Sequence, residues 1–489
     1  MRKFFKLFFG LIFILFLVLL AIVLFKTLTF SSKQIKSGNK IQPIEISNSS
    51  IDRFCSLIKI PTISFSNKID TLAFIEQDSA IQIMYPLLHT RLERQTVNDF
   101  SLVYHWKGKD NDLDPILLIS HLDVVPPEKD QSLWKHPPFC GKIINENIWG
   151  RGSLDVKIST AGILEAVTLL LEEEFQPSRD IYLAFGHDEE VGGQQGAKAI
   201  CEYFKSKNIN FEYVLDEGLV VLQDALEGLN KPLAMIGIAE KGFADISLSI
   251  QLNEAGHSSM PPSENAIGML SSAINKLLEN QFPSKINGAA KGLFEYAGPE
   301  MSGLYKVLFA NLWLTKGIIK KQLEKDETAA ALLRTTTAPT IINSGIKSNI
   351  LPSKAEAVIN FRILPGETVE TVKQRVIDVI DNPIIKVSLD ENFSGNPSKV
   401  SDLDSFGFRA IQKTVQEIFP ESVISPGLVI ATTDSRHYAS VVKNIYRFLP
   451  VEINRSDIQG IHGHNEHVSV ENYKNTIRFY KRLIVNSGK

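Results

Sequence analysis

Three apolar runs along the chain end in charged residues: "PILLISHLD" (115–123), "DIYLAFGHDEE" (180–190) and "FEYVLDEG" (211–218). Short unbroken apolar runs of this kind read as buried strands. Between them, "STAGILEAVTLLLEEEF" (159–175) and "AKAICEYFKSKN" (197–208) carry apolar residues at helical spacing. Strands alternating with helices predict an α/β fold with a mostly parallel sheet and helices on both faces. Ligands bind such sheets outside the carboxyl ends of the strands. His121 and Asp123, His187 to Glu190, and Asp216 with Glu217 all fall at those ends.

Further along, "GFADISLSIQLNE" (242–254) alternates like a half-exposed strand, and a helix pattern follows at 265–280. After a helix-rich stretch, alternation returns at 336–345 and 355–363, then a helix at 370–380 and a strand at 384–392. This order predicts a βαββαβ unit inserted in the larger domain. The expected division is 49–238 for the first part of the large domain, 239–395 for an inserted α+β lid, and 396–489 for the chain's return to the first sheet.

The N-terminus follows a different pattern. After a short basic leader (1–6), Leu7 to Phe25 is unbroken apolar sequence. Its length approaches the ~20 residues of a membrane-spanning helix and exceeds the 7–15 typical of a cleaved signal. Residues 7–26 are therefore expected to be a single-pass anchor, and the polar stretch 27–48 a tether. Lysines flank both ends, so charge alone does not set the orientation. A short basic leader before an anchor points to a body outside the cytosol; secretion after signal cleavage is the alternative.

Composition narrows the field further. The 489 residues carry a net charge of −3, with 44% hydrophobic and 22% charged residues. That is ordinary for a globular protein and speaks against nucleic acid as a partner. The three cysteines are far apart and form no CxxC pair, so they suggest neither a disulfide framework nor a thiolate metal site.

Each candidate chemical group has a plain structural explanation when taken alone. His121 and Asp123 in "SHLDVVP" share a face in an extended segment, but taken alone the pair is better explained by a turn. Asp155 in "WGRGSLDVK" sits in a glycine-bearing loop before a helix. Glu189 and Glu190 point different ways, so one can bind a metal while the other faces substrate; an acidic turn has the same composition. "IHGHNEHVSVENY" (461–473) clusters three histidines, of which His462 frames an H-x-x-x-E unit with Glu466. Together, two imidazoles and three carboxylates suit zinc, and also manganese or cobalt. A carboxylate bridging two ions makes a site that polarises a carbonyl and activates water near neutral pH.

Those motifs, with "HDEEVGG", "LDEG", "GHSSMPP", "NILPSKAEAVINFRILPGE", "TTDSRHY" and "HGHNEH" in this order, resemble the M20 family of dinuclear zinc peptidases and amidohydrolases. The likeness runs from about Ile51 to Ser469 and points to the carboxypeptidase S and N-acyl-amino-acid hydrolase branch. It implies a zinc-exopeptidase-like fold with a lid, and two Zn2+ (or Co2+ or Mn2+) per subunit. Asp155 would bridge the metals, His121 and Asp216 would complete one shell, and Glu190 and His462 the other. Asp123 would hold the His121 ring, and Glu189 would take the proton from the attacking water and pass it to the leaving amine. His257 would steady the oxyanion from the lid, reaching over from a partner subunit in many relatives, so a homodimer through the lid is implied. Asn349, Arg362 and Thr433 would bind substrate, with Asp434 nearby. The expected activity is hydrolysis of the amide bond beside a free carboxylate in small peptides. Hydrolysis or synthesis of lipophilic N-acyl amino acids is the alternative, and a retired, non-catalytic binding scaffold the remote one. One departure stands out: the family's Asp-Asp-Lys, with a cis peptide after the bridging Asp, is Asp155-Val156-Lys157 here.

Overall fold

The computed structural model describes residues 1–35, 44–65 and 68–488, the side chains of 392 and 393 excepted. An eight-stranded mixed sheet forms its centre. The strand order is Val423–Val429, Leu233–Glu240, Val442–Ile453, Phe211–Leu222, Ile116–His121, Ile181–Gly186, Ser101–Trp106 and Glu93–Val97. The strand Ile116–His121 lies parallel to both Ile181–Gly186 and Phe211–Leu222, so three charged strand ends open on one edge. The strands beyond Ile181–Gly186 run antiparallel. Every residue of Ile116–His121 and Ile181–Gly186 is buried, as the unbroken apolar runs require of strands covered on both faces.

Two helices clamp one face. Lys157–Glu172 is buried along nearly its whole length. Val470–Ser487, whose N-cap Ser469 accepts from Asn472 N, buries Tyr473, Ile477, Tyr480 and Ile484 at helical spacing. They meet closely at Gly162, where a Cβ would come within 2.6 Å of Thr476 Cγ2.

The second sheet has the order Thr336–Ser344, Lys354–Ile363, Gly242–Gln251, Lys386–Gly395, all antiparallel. Burial alternates along Gly242–Gln251 and Lys354–Ile363, because one face packs on the helices Ala266–Glu279 and Val369–Ile380 and the other faces outward. Ile246, Leu248, Ile359, Phe361, Val372 and Val376 form this separate core.

Two expectations need correction. The stretch between Ala266–Glu279 and Thr336–Ser344 does not belong to this small core. Leu293, Phe294, Tyr296 and Leu333 join the core of the large sheet, because the helix Gly288–Ala297 packs against the edge strand Val423–Val429. Nor is the tether wholly free. Residues 36–43 lie outside the described residues, but Gln34 exchanges hydrogen bonds with Ile424, donating to its carbonyl (2.9 Å) and accepting from its N–H (2.8 Å). An edge strand leaves such groups unpaired, and Gln34 satisfies two of them. The N-terminal helix Arg2–Leu28 is the one helix among the described residues long and apolar enough to cross a membrane.

Candidate metal centre

The carboxyl ends of the three parallel strands and two loops converge on one cluster. His121 ends its strand buried, with Nε2 3.2 Å from Asp155 Oδ1 and 3.2 Å from Glu217 Oε1. Asp155 Oδ2 lies 3.0 Å from His462 Nε2, which is also 3.0 Å from Glu190 Oε2. The Asp155 carboxylate thus stands between the two imidazoles, one oxygen to each. Two groups of donor atoms fall within 4.8 Å of one another, His121 with Glu189 and Glu217, and His121 with Asp155 and Glu190.

Each of these side chains is held from behind. Asp123 accepts from the backbone N–H groups of Glu189 and Glu190, both at 3.1 Å, and from the Ser64 hydroxyl. Its carbonyl lies 3.0 Å from His121 Nδ1, nearer than its carboxylate at 3.4 Å, so the ring is oriented chiefly through backbone. Glu466 is fully buried and accepts from Leu154 N (2.8 Å) and Asp155 N (3.1 Å) while pairing with Arg151 (2.6 Å). It fastens the Asp155 loop to the His462 loop. The Asp155–Val156 peptide is cis. His464 and His467 point elsewhere: His464 reaches Glu128, and His467 stacks on Trp149.

The family resemblance implies Asp216 as a ligand, but the structure brings its neighbour Glu217 to His121. Asp216 Oδ2 accepts from Ser435 N (2.9 Å) and Oδ1 from Glu217 N (2.8 Å), a buried anchoring role. Consecutive strand residues face opposite ways, so only one of the two acids can turn to the histidine. Thr433 is likewise committed elsewhere, with its hydroxyl and N–H on buried Glu240 and its hydroxyl 2.6 Å from Ser435 Oγ. Beside it Asp434 is buried with no partner on either carboxylate oxygen among the described residues. It fills the space that Gly193 leaves: at φ +67°, a Cβ there would come within 2.1 Å of Asp434 Oδ1.

The lid residues lie apart from this cluster. His257 is exposed on the short strand Gly256–His257, its Nδ1 2.8 Å from Ser259 Oγ. Asn349 sits beside it, its carbonyl accepting from Ser258 N. None of the described hydrogen bonds or ion pairs joins either to the carboxylates. Arg362 lies at the root of the lid opposite Phe243. Arg436, absent from the sequence-based set, sits with its guanidinium 5.6 Å from the Phe243 ring and donates to Gly192 O at 2.9 Å. Burial, and to a lesser degree Arg436, lower the Arg362 pKa, so the two cations share one neighbourhood beside the Glu189–Gly193 turn.

The electrostatics of the cluster favour a bound positive charge. Burial, joined by Asp155, pushes Glu217 up to about 7, and burial pushes Glu190 up as well. Asp155 and Glu190 raise His462 to about 10. Burial opposes charge on His121, but Glu217, Asp123 and Asp155 outweigh it and hold the ring well above its ordinary value. Protons are drawn in because negative charge is in excess, and Glu190 Oε1 is buried without a partner. Imidazole and carboxylate donors converging with surplus negative charge fit divalent metal ions.

An α/β sheet with such a donor cluster at its strand ends, beside a second, smaller sheet, is an arrangement suited to a metal-dependent hydrolase. The chain belongs to peptidase family M20/M25/M40, whose family model matches residues 117–486. It is 42% identical to probable carboxypeptidase S-like 2 of Dictyostelium discoideum, covering 96% of this chain and 92% of that one. It is 36% identical to the N-fatty-acyl-amino acid synthase/hydrolase PM20D1.1 of Danio rerio (99% and 96%) and 30% identical to carboxypeptidase S of Saccharomyces cerevisiae (90% and 84%). The fold matches the M20 family metallo-carboxypeptidase Sso-CP2 of Sulfolobus solfataricus, with a TM-score of 0.64 at 18% identity over 89% of this chain and 98% of that one. The chain is thus an M20 hydrolase of the carboxypeptidase S-like and PM20D1 branch.

Proposed function

We propose that this hydrolase cleaves the amide bond beside a free C-terminal carboxylate in small peptides. The convergence of His121, Asp155, Glu190, Glu217 and His462 around one point, with Glu189 alongside, carries the reading. His121 and Glu217 would hold one metal ion, His462 and Glu190 the other, and Asp155 both. The mixed donor set suits zinc, with cobalt or manganese as substitutes. When bound, a metal pair polarises the scissile carbonyl and lowers the pKa of water.

The chain's own groups do the rest. Asp123 fixes the Glu189 backbone, so that carboxylate is set beside the reacting centre. Burial raises the Glu189 pKa, which favours a carboxyl that accepts a proton from water and returns it to the leaving amine. Arg362 and Arg436 offer paired charge for the substrate's free carboxylate. His257 and Asn349 approach the developing oxyanion from the lid, by closure or from the lid of a second copy in a homodimer. The N-terminal helix anchors the body to a membrane, with the hydrolase outside the cytosol.

The 36% identity to an N-fatty-acyl-amino acid synthase/hydrolase over nearly the whole chain supports a second reading, in which the acyl half of the substrate is a lipid chain. A panel of dipeptides and long-chain N-acyl amino acids, assayed with zinc-loaded protein, separates the two. Turnover of dipeptides supports the first; turnover confined to N-acyl amino acids supports the second. No turnover of either, with Glu189→Gln indistinguishable from the parent, would sink both.

A further inference from the structure

The helix Gly303–Ala310, "GLYKVLFA", fully buries none of its residues, although six of the eight are apolar or aromatic, Gly303 and Lys306 being the exceptions. Leu304 is 69% exposed. The next helix, Leu312–Leu323, buries Thr315 and Ile319 on its inner side. Its outer side presents Trp313, Leu314 and Ile318, the last 67% exposed. The Thr315 hydroxyl donates to Leu308 O at 2.6 Å and ties the pair together. Large apolar side chains exposed together on two adjoining helices mark an interaction site.

Its position says what covers it. Asn311, between the two helices, donates through Nδ2 to Thr27 Oγ1 (3.1 Å) and Val23 O (3.3 Å) of the N-terminal helix. Lys26 Nζ stands 5.4 Å from the centre of the Trp313 ring. The apolar run of that helix ends at Phe25. With a rise of about 1.5 Å per residue, Val23 lies only ~3 Å inside that end. If the helix spans a bilayer, the junction at Asn311 is therefore at the level where hydrocarbon meets headgroups. Tryptophan concentrates at that level. Lys306, Lys316 and Lys321 lie on the same two helices, where long cationic side chains reach anionic headgroups while their stems cover apolar surface.

We propose that these two helices are a second lipid contact, lying in the bilayer interface beside the N-terminal helix and seating the hydrolase body on the membrane. The proposal rests on the reading of the N-terminal helix as an anchor. It gives the body a fixed face toward lipid, which a single helix on a tether would not.

The test uses the full chain in nanodiscs of phosphatidylcholine with a phosphatidylserine fraction, some of it brominated near the top of the acyl chains. Trp106 and Trp134 are buried and Trp149 is stacked on His467, so Trp313 is the tryptophan placed to meet bromine. Quenching of part of the emission, absent in Trp313→Phe and reduced at least twofold in Leu314→Glu with Ile318→Glu, supports the proposal. The double variant should keep the parent's metal content. No quenching in chains that stay in the discs and resist alkaline carbonate overturns the proposal and leaves the anchor standing. Extraction by carbonate removes the anchor and the proposal together. Disulfide-linked pairs of Ile318→Cys chains, without quenching of Trp313 in the parent, assign the patch to a second copy and also overturn it.

Discussion

The crevice at the strand ends and the tip of the lid are built by opposite rules. In the crevice, the functional side chains emerge from buried backbone whose own groups are tied: Asp123 holds the Glu189–Glu190 turn, Glu466 the Asp155 loop, and Asp216 the Ser435 backbone. On the lid, His257 and Asn349 stand exposed on a two-stranded tip. Metal binding needs fixed donors, whereas a group that acts on the transition state can arrive with closure. In the proposed mechanism the first region is fixed before substrate comes, and the second moves or is shared between copies.

The largest effect should come from removing the base. Glu189→Gln is expected to lower kcat by about 10²–10⁴-fold, the range of general-base contributions, with the metal content measured by mass spectrometry unchanged. Loss of metal in that variant would erase the distinction between donor and base. Next, His257→Ala should reduce kcat by about 10²–10³-fold, as for other oxyanion donors, with metal content and Tm untouched. A fall in Tm would show that the lid tip is structural after all.

A smaller contrast lies within the crevice. Glu217→Gln should lose about one equivalent of metal on dialysis, while Asp216→Asn should retain metal and lower stability by ~1–3 kcal/mol through its buried hydrogen bonds. The reverse pattern would restore Asp216 as the ligand. The smallest effect concerns His437, which burial, joined by Arg436, lowers to about 4 from 6.5. The unfolded chain binds this proton first as pH falls, so stability should decline between pH 6.5 and about 4 and be unaffected above. His437→Gln should flatten the Tm profile in that window.

Much of the fold was legible from unbroken apolar runs with charged ends, while the ligand roles came from the resemblance to the M20 family. Apolar strands with charged ends gave the crevice, and the H-x-x-x-E frame separated His462 from His464 and His467. What the pattern does not contain is rotation about a strand's axis. Asp216 and Glu217 are adjacent acids at one strand end, and only the hydrogen bond from Ser435, which comes from a turn more than two hundred residues later, decides which faces inward. The bond between Thr433 and Glu240 was hidden for the same reason, the two being 193 positions apart. The helices after residue 286 read as part of the lid because helical spacing shows that one face is buried, without showing against which core. Arg436 carried no signal of its own, being a lone arginine in a turn.

The joint made by Glu466 and Arg151 spans 315 positions of chain. His462 comes almost as late, while His121 and Asp155 come early. A nascent polypeptide therefore carries His121, Asp155, Glu190 and Glu217 before the midpoint of the chain, and His462 only near its end. On the proposed ligand set, the last donor reaches the other four only once the segment carrying both His462 and Glu466 has been made.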